Sequence, residues 1–324
     1  MRIRWINVIY CLTMVIILSG VAGARTLSQT IGSTPALEAS QAPTVTVDSP
    51  AAKDPTSTSV PATKNTKPDT TPVRSRPPEL ILAIDKPERK TSVPGNVVFK
   101  LPTMNEVLLA SELTYYDSLK VDIYYPPNYK FEAKLPVVIL SHGFKETEEF
   151  DKDMPQHMDW ARLIAASGMI AVSAQAGDAP VENSQRVFSF LSRNAAVLGL
   201  DLKRIGFWAV SGQCKPTFRA LEDEKSLYRD AFKAAVFLYP SAKSAKPSGW
   251  PQTISLFVVK AGNDQLIPGE IVDSLVAQAR SSKISTEYIE MTDAPHGFDV
   301  YQDSQASKDN VRQALEFLKG RLLP

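Results

Sequence analysis

Ser211 ends the apolar run "RIGFWAV" and is followed at once by Gly212, so a strand-like segment breaks at a hydroxyl side chain. A serine hydroxyl is a weak nucleophile until an adjacent base takes its proton, and a neutral imidazole does this near pH 7. The chain has three histidines. His142 lies in "SHGF" and His157 in a polar stretch ahead of a helix, whereas His296 follows the last strand-like run in a loop rich in Pro and Gly. A base in such a loop reaches across the carboxyl edge of a sheet, which makes His296 the candidate base. An imidazole that becomes charged needs a buried carboxylate to fix its tautomer. Asp264 comes directly after "ISLFVVKAG", at the edge where ligands gather in open α/β sheets, and is the candidate acid. Asp293 and Asp299 compete only through nearness in sequence, and a carboxylate so close to the histidine rarely folds back to its ring. The oxyanion of acyl transfer needs two backbone N–H donors. Gly212 supplies one from the start of a helix, where amides are unpaired, and Gly143, in the loop after "VVIL", is a candidate for the other.

Each residue has a plainer reading. Ser211 could be a turn residue alone, and "HGF" an ordinary glycine turn. The small residues that let strand and helix close around a strained serine in G-x-S-x-G are here Ala209 and Gln213. Ala209 keeps the packing, but the long side chain of Gln213 must find space. Cys214 is expected to be a buried bystander, because its place in the first helical turn points it away from His296. The chain has no G-x-G-x-x-G, P-loop, H-E-x-x-H or Cys/His cluster, so neither cofactor nor metal is expected.

The elements that must position these groups are legible from residue 96 onward as alternating β and α patterns, the signature of an α/β layered sheet. "EVLLASELTYYD" and "KVDIYYPPN" read as early antiparallel strands. "PVVILS", "MIAVSA", "RIGFWAV", "AAVFLYP", "ISLFVVKAG" and "STEYIEMTD" read as parallel strands, about eight in all. Helices are expected at "MDWARLIAAS", at "NSQRVFSFLSRNAAVLGL" with Val187, Leu191 and Leu198 on one face, at "PGEIVDSLVAQARS" and at "SKDNVRQALEFLKGRL". The loop "PSAKSAKPSGWPQ" is too short for a large cap domain but could shape an acyl pocket, with Tyr239 and Trp250 as candidate walls.

Residues 1–24 run from two arginines through an apolar core to Ala22 and Ala24, the pattern of a secretory signal, with a membrane anchor as the competing reading. Residues 25–95 hold eleven of the 24 prolines among Thr, Ser, Ala and mixed charges, and read as a disordered linker. The expected location is therefore secreted or extracytoplasmic. Cys11 falls in the leader, which leaves Cys214 alone and no internal disulfide. At 324 residues, 44% hydrophobic and a net charge of +1, the chain has enough apolar material for a proper core and no charge bias toward nucleic acid. Its oligomeric state is left open.

Together "VVILSHGF", "LDLKRIGFWAVSGQ", "KAGNDQLIPG" and "APHGFDVYQD" resemble the α/β-hydrolase fold family over residues 96–324, in its dienelactone-hydrolase-like and bacterial serine esterase branch. Their order matches the Ser, acid, His sequence of that family. The resemblance implies hydrolysis of a small-molecule ester by Ser211, Asp264 and His296, and Phe144 in place of Gly143 as the second oxyanion donor. It also implies that Ala and an amide residue are tolerated around the serine. A serine peptidase of the same fold and a non-catalytic binding module are the alternatives.

Overall fold

A computed structural model describes residues 95–142 and 152–324. The expected leader and, but for Gly95, the expected linker lie outside the described residues. The first pair of strands, β1 (Leu108–Tyr116) and β2 (Leu119–Tyr125), is antiparallel, and β2 lies antiparallel to β4 (Ile170–Ala174). From there β3 (Leu135–Leu140), β5 (Leu200–Val210), β6 (Phe232–Leu238), β7 (Ser255–Ala261) and β8 (Ser285–Met291) continue in parallel. The eight-stranded order is β1-β2-β4-β3-β5-β6-β7-β8. Strands inside this sheet are buried on both faces, which is why they read as unbroken Val, Ile, Leu and Phe runs, while the outer strand β8 alternates with Glu and Thr.

Helices cover both faces. Along β5, Ile205, Phe207 and Ala209 enter one core with α2 (Pro180–Asn194), α3 (Lys215–Glu222) and α4 (Gly269–Ser281). Trp208 and Val210 enter the other with α1 (Pro155–Ala166) and α6 (Gln305–Leu322), as a period of two requires. A single turn of helix, α5 (Phe298–Tyr301), precedes α6 and carries too little periodicity to be read from sequence.

Two boundaries differ from expectation. β5 begins at Leu200 because Leu200 and Asp201 pair with Leu135 and Pro136 at the start of β3, ahead of a register shift between Pro136 and Val137. α2 ends at Asn194, whose side-chain amide donates to the Phe190 carbonyl; Leu198 is buried beyond the helix and not on its face. Between β6 and β7 the chain makes only a 3-10 turn at Pro247–Gly249, and no cap domain occurs among the described residues. Among them, too, no helix is long and apolar enough to cross a membrane.

Candidate active site

Because β5, β6, β7 and β8 are parallel neighbours, the residues that follow them emerge along one sheet edge. Ser211 is the first residue past β5 and holds φ +50°, a left-handed conformation that costs a residue with a side chain about 1–2 kcal/mol. It opens a 3-10 turn, Ser211–Cys214, that runs into α3. The Ser211 carbonyl accepts the Ser241 N–H at 3.0 Å, which ties the vertex to the chain leaving β6.

Asp264 and His296 meet at this edge. His296 Nδ1 lies 2.8 Å from Asp264 Oδ2, while Asp264 Oδ1 accepts the N–H groups of Leu266 at 2.8 Å and Ile267 at 2.9 Å. With Nδ1 donating to the carboxylate, the Nε2 lone pair is the one left to take a proton. Burial works to raise the Asp264 carboxyl, but the His296 bond and charge and the two backbone amides outweigh it and hold it below the ordinary carboxylate value. The loop is held close by Gly262, where a Cβ would lie 2.5 Å from the Thr292 carbonyl oxygen. No hydrogen bond joins Ser211 to His296 among the described residues, and in an unliganded hydrolase that bond commonly tightens only around substrate.

The rival carboxylates do not reach the ring. Asp293 is exposed, and Asp299 is wholly buried, accepting the Tyr239 hydroxyl at 2.6 Å and the Trp160 indole N–H at 3.0 Å.

Gln213 turns inward. Its side-chain nitrogen lies 3.1 Å from His157 Nε2, and its backbone carbonyl accepts the Ser141 hydroxyl at 2.6 Å. The long side chain at the position of the second glycine in G-x-S-x-G therefore finds its space by burying its amide against His157. His157 is not in a polar stretch ahead of a helix but inside α1, buried, with its ring edge-on to His142 at 4.3 Å. His142 in turn meets the Ser173 hydroxyl at 3.2 Å; burial, then the charges of His157 and Lys152, push its imidazole well below the ordinary histidine value. This chain of contacts was missed from sequence, where His157 offers only its spacing of three from the apolar Trp160.

Gly212 is the second residue of the turn after β5. Gly143 and Phe144 lie outside the described residues. Trp250 is not a pocket wall: at 1% exposure it stacks on Phe218 with ring centroids 5.6 Å apart, because Phe218 and Phe237 offer it an aromatic slot. Tyr239 is buried as well, its ring centroid 4.6 Å from that of His296, so it packs against the candidate base rather than lining an open acyl pocket. Cys214 is fully buried and burial pushes its thiol up, the wrong direction for a nucleophilic thiolate. Outside this edge, carboxylate oxygens of Glu112, Asp122 and Asp153 lie within 4.8 Å of one another. The buried Lys152 ammonium bonds to all three, at 2.5, 3.1 and 2.9 Å, so each already has a cationic partner within the chain.

No family model and no curated protein matches the sequence. Solved structures do. The native esterase 2 of the planctomycete Thermogutta terrifontis is 18% identical with a TM-score of 0.53, over 69% of this chain and 96% of its own. Brefeldin A esterase, described as a bacterial homologue of human hormone sensitive lipase, is 16% identical with a TM-score of 0.54, over 70% of this chain and 81% of its own. A fungal esterase from Rhizomucor miehei is 15% identical with a TM-score of 0.55, over 69% and 85%. At these identities the likeness is one of fold, and with the sheet order it defines the architecture: the described residues form an α/β-hydrolase fold.

Proposed function

We propose that the protein is a serine hydrolase that cleaves carboxylic esters through an acyl-enzyme. The observation that carries this reading is the Asp264–His296 hydrogen bond on the same sheet edge as a left-handed Ser211 at the end of β5. His296 Nε2 takes the Ser211 proton as Oγ attacks the ester carbonyl, forming a tetrahedral intermediate. That intermediate collapses as the protonated imidazole delivers its proton to the leaving alcohol. Water, deprotonated by the same nitrogen, then attacks the acyl carbon, and Ser211 Oγ leaves with the proton restored. Asp264 holds the tautomer and faces the positive charge that forms on the ring. Gly212 N–H, with Gly143 or Phe144 from the loop after β3, is assigned to the oxyanion.

The esterases among the structural neighbours support an ester over other acyl substrates, and the T. terrifontis enzyme is described as phosphorylated by paraoxon. The dienelactone-hydrolase-like branch and export from the cell rest on the sequence patterns alone. A fluorophosphonate probe tests the class: it should label the wild type and not Ser211→Ala. Aryl esters of rising chain length alongside a peptide amide then test the substrate. Labelling with turnover of the amide alone would make the protein a peptidase, and no labelling would make it a binding module.

A further inference from the structure

Asp299 is a fully buried carboxylate to which the mechanism above gives no role. Its side chain accepts only neutral donors, the Tyr239 hydroxyl at 2.6 Å, the Trp160 indole N–H at 3.0 Å and its own backbone N–H, while its backbone carbonyl accepts the Val98 N–H at 2.8 Å. A carboxylate placed among neutral partners costs stability whenever it is ionised, and groups of that kind concentrate at functional sites. Its main partner sits against the base. The Tyr239 ring is tilted 58° to the His296 ring at 4.6 Å, and Phe298 meets Tyr239 edge-on at 5.5 Å. The Tyr239 backbone holds φ +39° and donates to the Val259 carbonyl at 2.7 Å, so the residue is fixed at backbone, edge and hydroxyl. His296 is held at Nδ1 by one hydrogen bond, which by itself does not set the tilt of the ring, so the packing of Tyr239 is what remains to set it.

We infer that Asp299 is a positioning residue for His296: by holding the Tyr239 hydroxyl it keeps the Tyr239 ring against the imidazole and fixes the plane in which Nε2 works. The inference rests on His296 being the base. Asp299 has an electrostatic part in the same arrangement, since its negative charge favours the imidazolium that forms when His296 takes a proton. The groups facing it are Tyr239 from the end of β6, His296 from the loop after β8 and, from α1, the uncharged Trp160; Asp159 of α1 is engaged by Asn96, Lys100 and the Val97 amide. Burial raises the Asp299 carboxyl to about 6, so the charge is present at neutral pH and absent in mild acid.

The test compares Asp299→Asn, Tyr239→Phe and the double variant with wild type, with active sites counted by fluorophosphonate titration. Tyr239→Phe removes one hydroxyl and keeps the ring, so it guards against misfolding of the aspartate variant. On aryl acetate each should lower kcat about tenfold with KM little changed, and the double variant should match the singles. The acid limb of the kcat/KM profile should move to lower pH in Asp299→Asn, which removes the negative charge beside His296. NMR of the His296 ring, assigned against His296→Ala, supplies a readout free of turnover, and its resonances should broaden in both single variants as the ring gains orientations. Unchanged kcat, pH profile and ring resonances, with only the melting temperature lowered, would overturn the inference. A wild type that hydrolyses no ester would sink the proposed function, and the ring resonances would still decide this question.

Discussion

At the scale of single residues, the mechanism proposed above divides chemical labour among side chains that are each poor at it alone. Ser211 has position without basicity, His296 has basicity without a fixed orientation, and Asp264 supplies orientation at Nδ1. Groups that act in one step lose function together. Ser211→Ala and His296→Ala should each remove nearly all ester turnover, with the double variant hardly worse than either. Asp264→Asn should lower kcat on the order of 10⁴, by analogy with the serine protease triad, because an amide at Oδ2 favours the wrong tautomer. Steady-state kinetics on a p-nitrophenyl ester decides. A silent Asp264→Asn would remove Asp264 from the mechanism, and turnover lost in Cys214→Ala but kept in Ser211→Ala would reduce Ser211 to a turn residue.

At the scale of elements, the clearest device outside the site is the ion cluster that joins β1 and β2 to the residues leading into α1. Lys152 is 1% exposed and Asp122 is fully buried, so the two charges are tolerable only as a group. A bulge in β1 shapes the pocket: Glu112 holds φ +59° and donates its N–H to Asp122 Oδ1 at 2.8 Å. Lys152→Met should cost about 3–5 kcal/mol by leaving buried carboxylate uncompensated, and Lys152→Met with Asp122→Asn should recover part of it. Urea unfolding of both variants measures this. Nothing in the sequence announces the cluster, because its members are spread over some forty residues and each alone looks like a surface charge. The strands were legible for the opposite reason. Their burial on both faces is written as continuous apolar runs, and the turn at Ser211-Gly212 stands out against them. Gln213 lies between these cases: its length was visible as a departure, but its partner His157 comes from a distant helix, and only the fold brings the two together.

At the scale of the whole molecule, residues 95–324 contain the full sheet, both cores and the Asp264–His296 pair. We expect a chain beginning at Gly95 to keep the wild-type kcat/KM, and the native protein to begin near Arg25 by mass spectrometry if residues 1–24 are a cleaved leader. Loss of activity in the shortened chain would place site residues in the N-terminal segment. The pH dependence of stability is also a property of the whole fold, and Asp264 and Asp299 pull it in opposite directions. Asp264 is held below its ordinary value, so its contribution is present above pH 3.8 and is lost as pH falls through its folded value. Asp299 is raised from 3.8 to about 6, so its contribution is fully present below 3.8 and is lost as pH rises through 6. Above that point the ionised Asp299 weighs against folding by an amount on the order of 2–3 kcal/mol. Asp299→Asn removes the titration at the price of a poorer fit to two hydrogen-bond donors. Its melting temperature relative to wild type should therefore be several degrees more favourable at pH 8 than at pH 5. Equal differences at the two pH values would mean that Asp299 does not titrate between them, and the charge assigned to it beside His296 would have to be withdrawn.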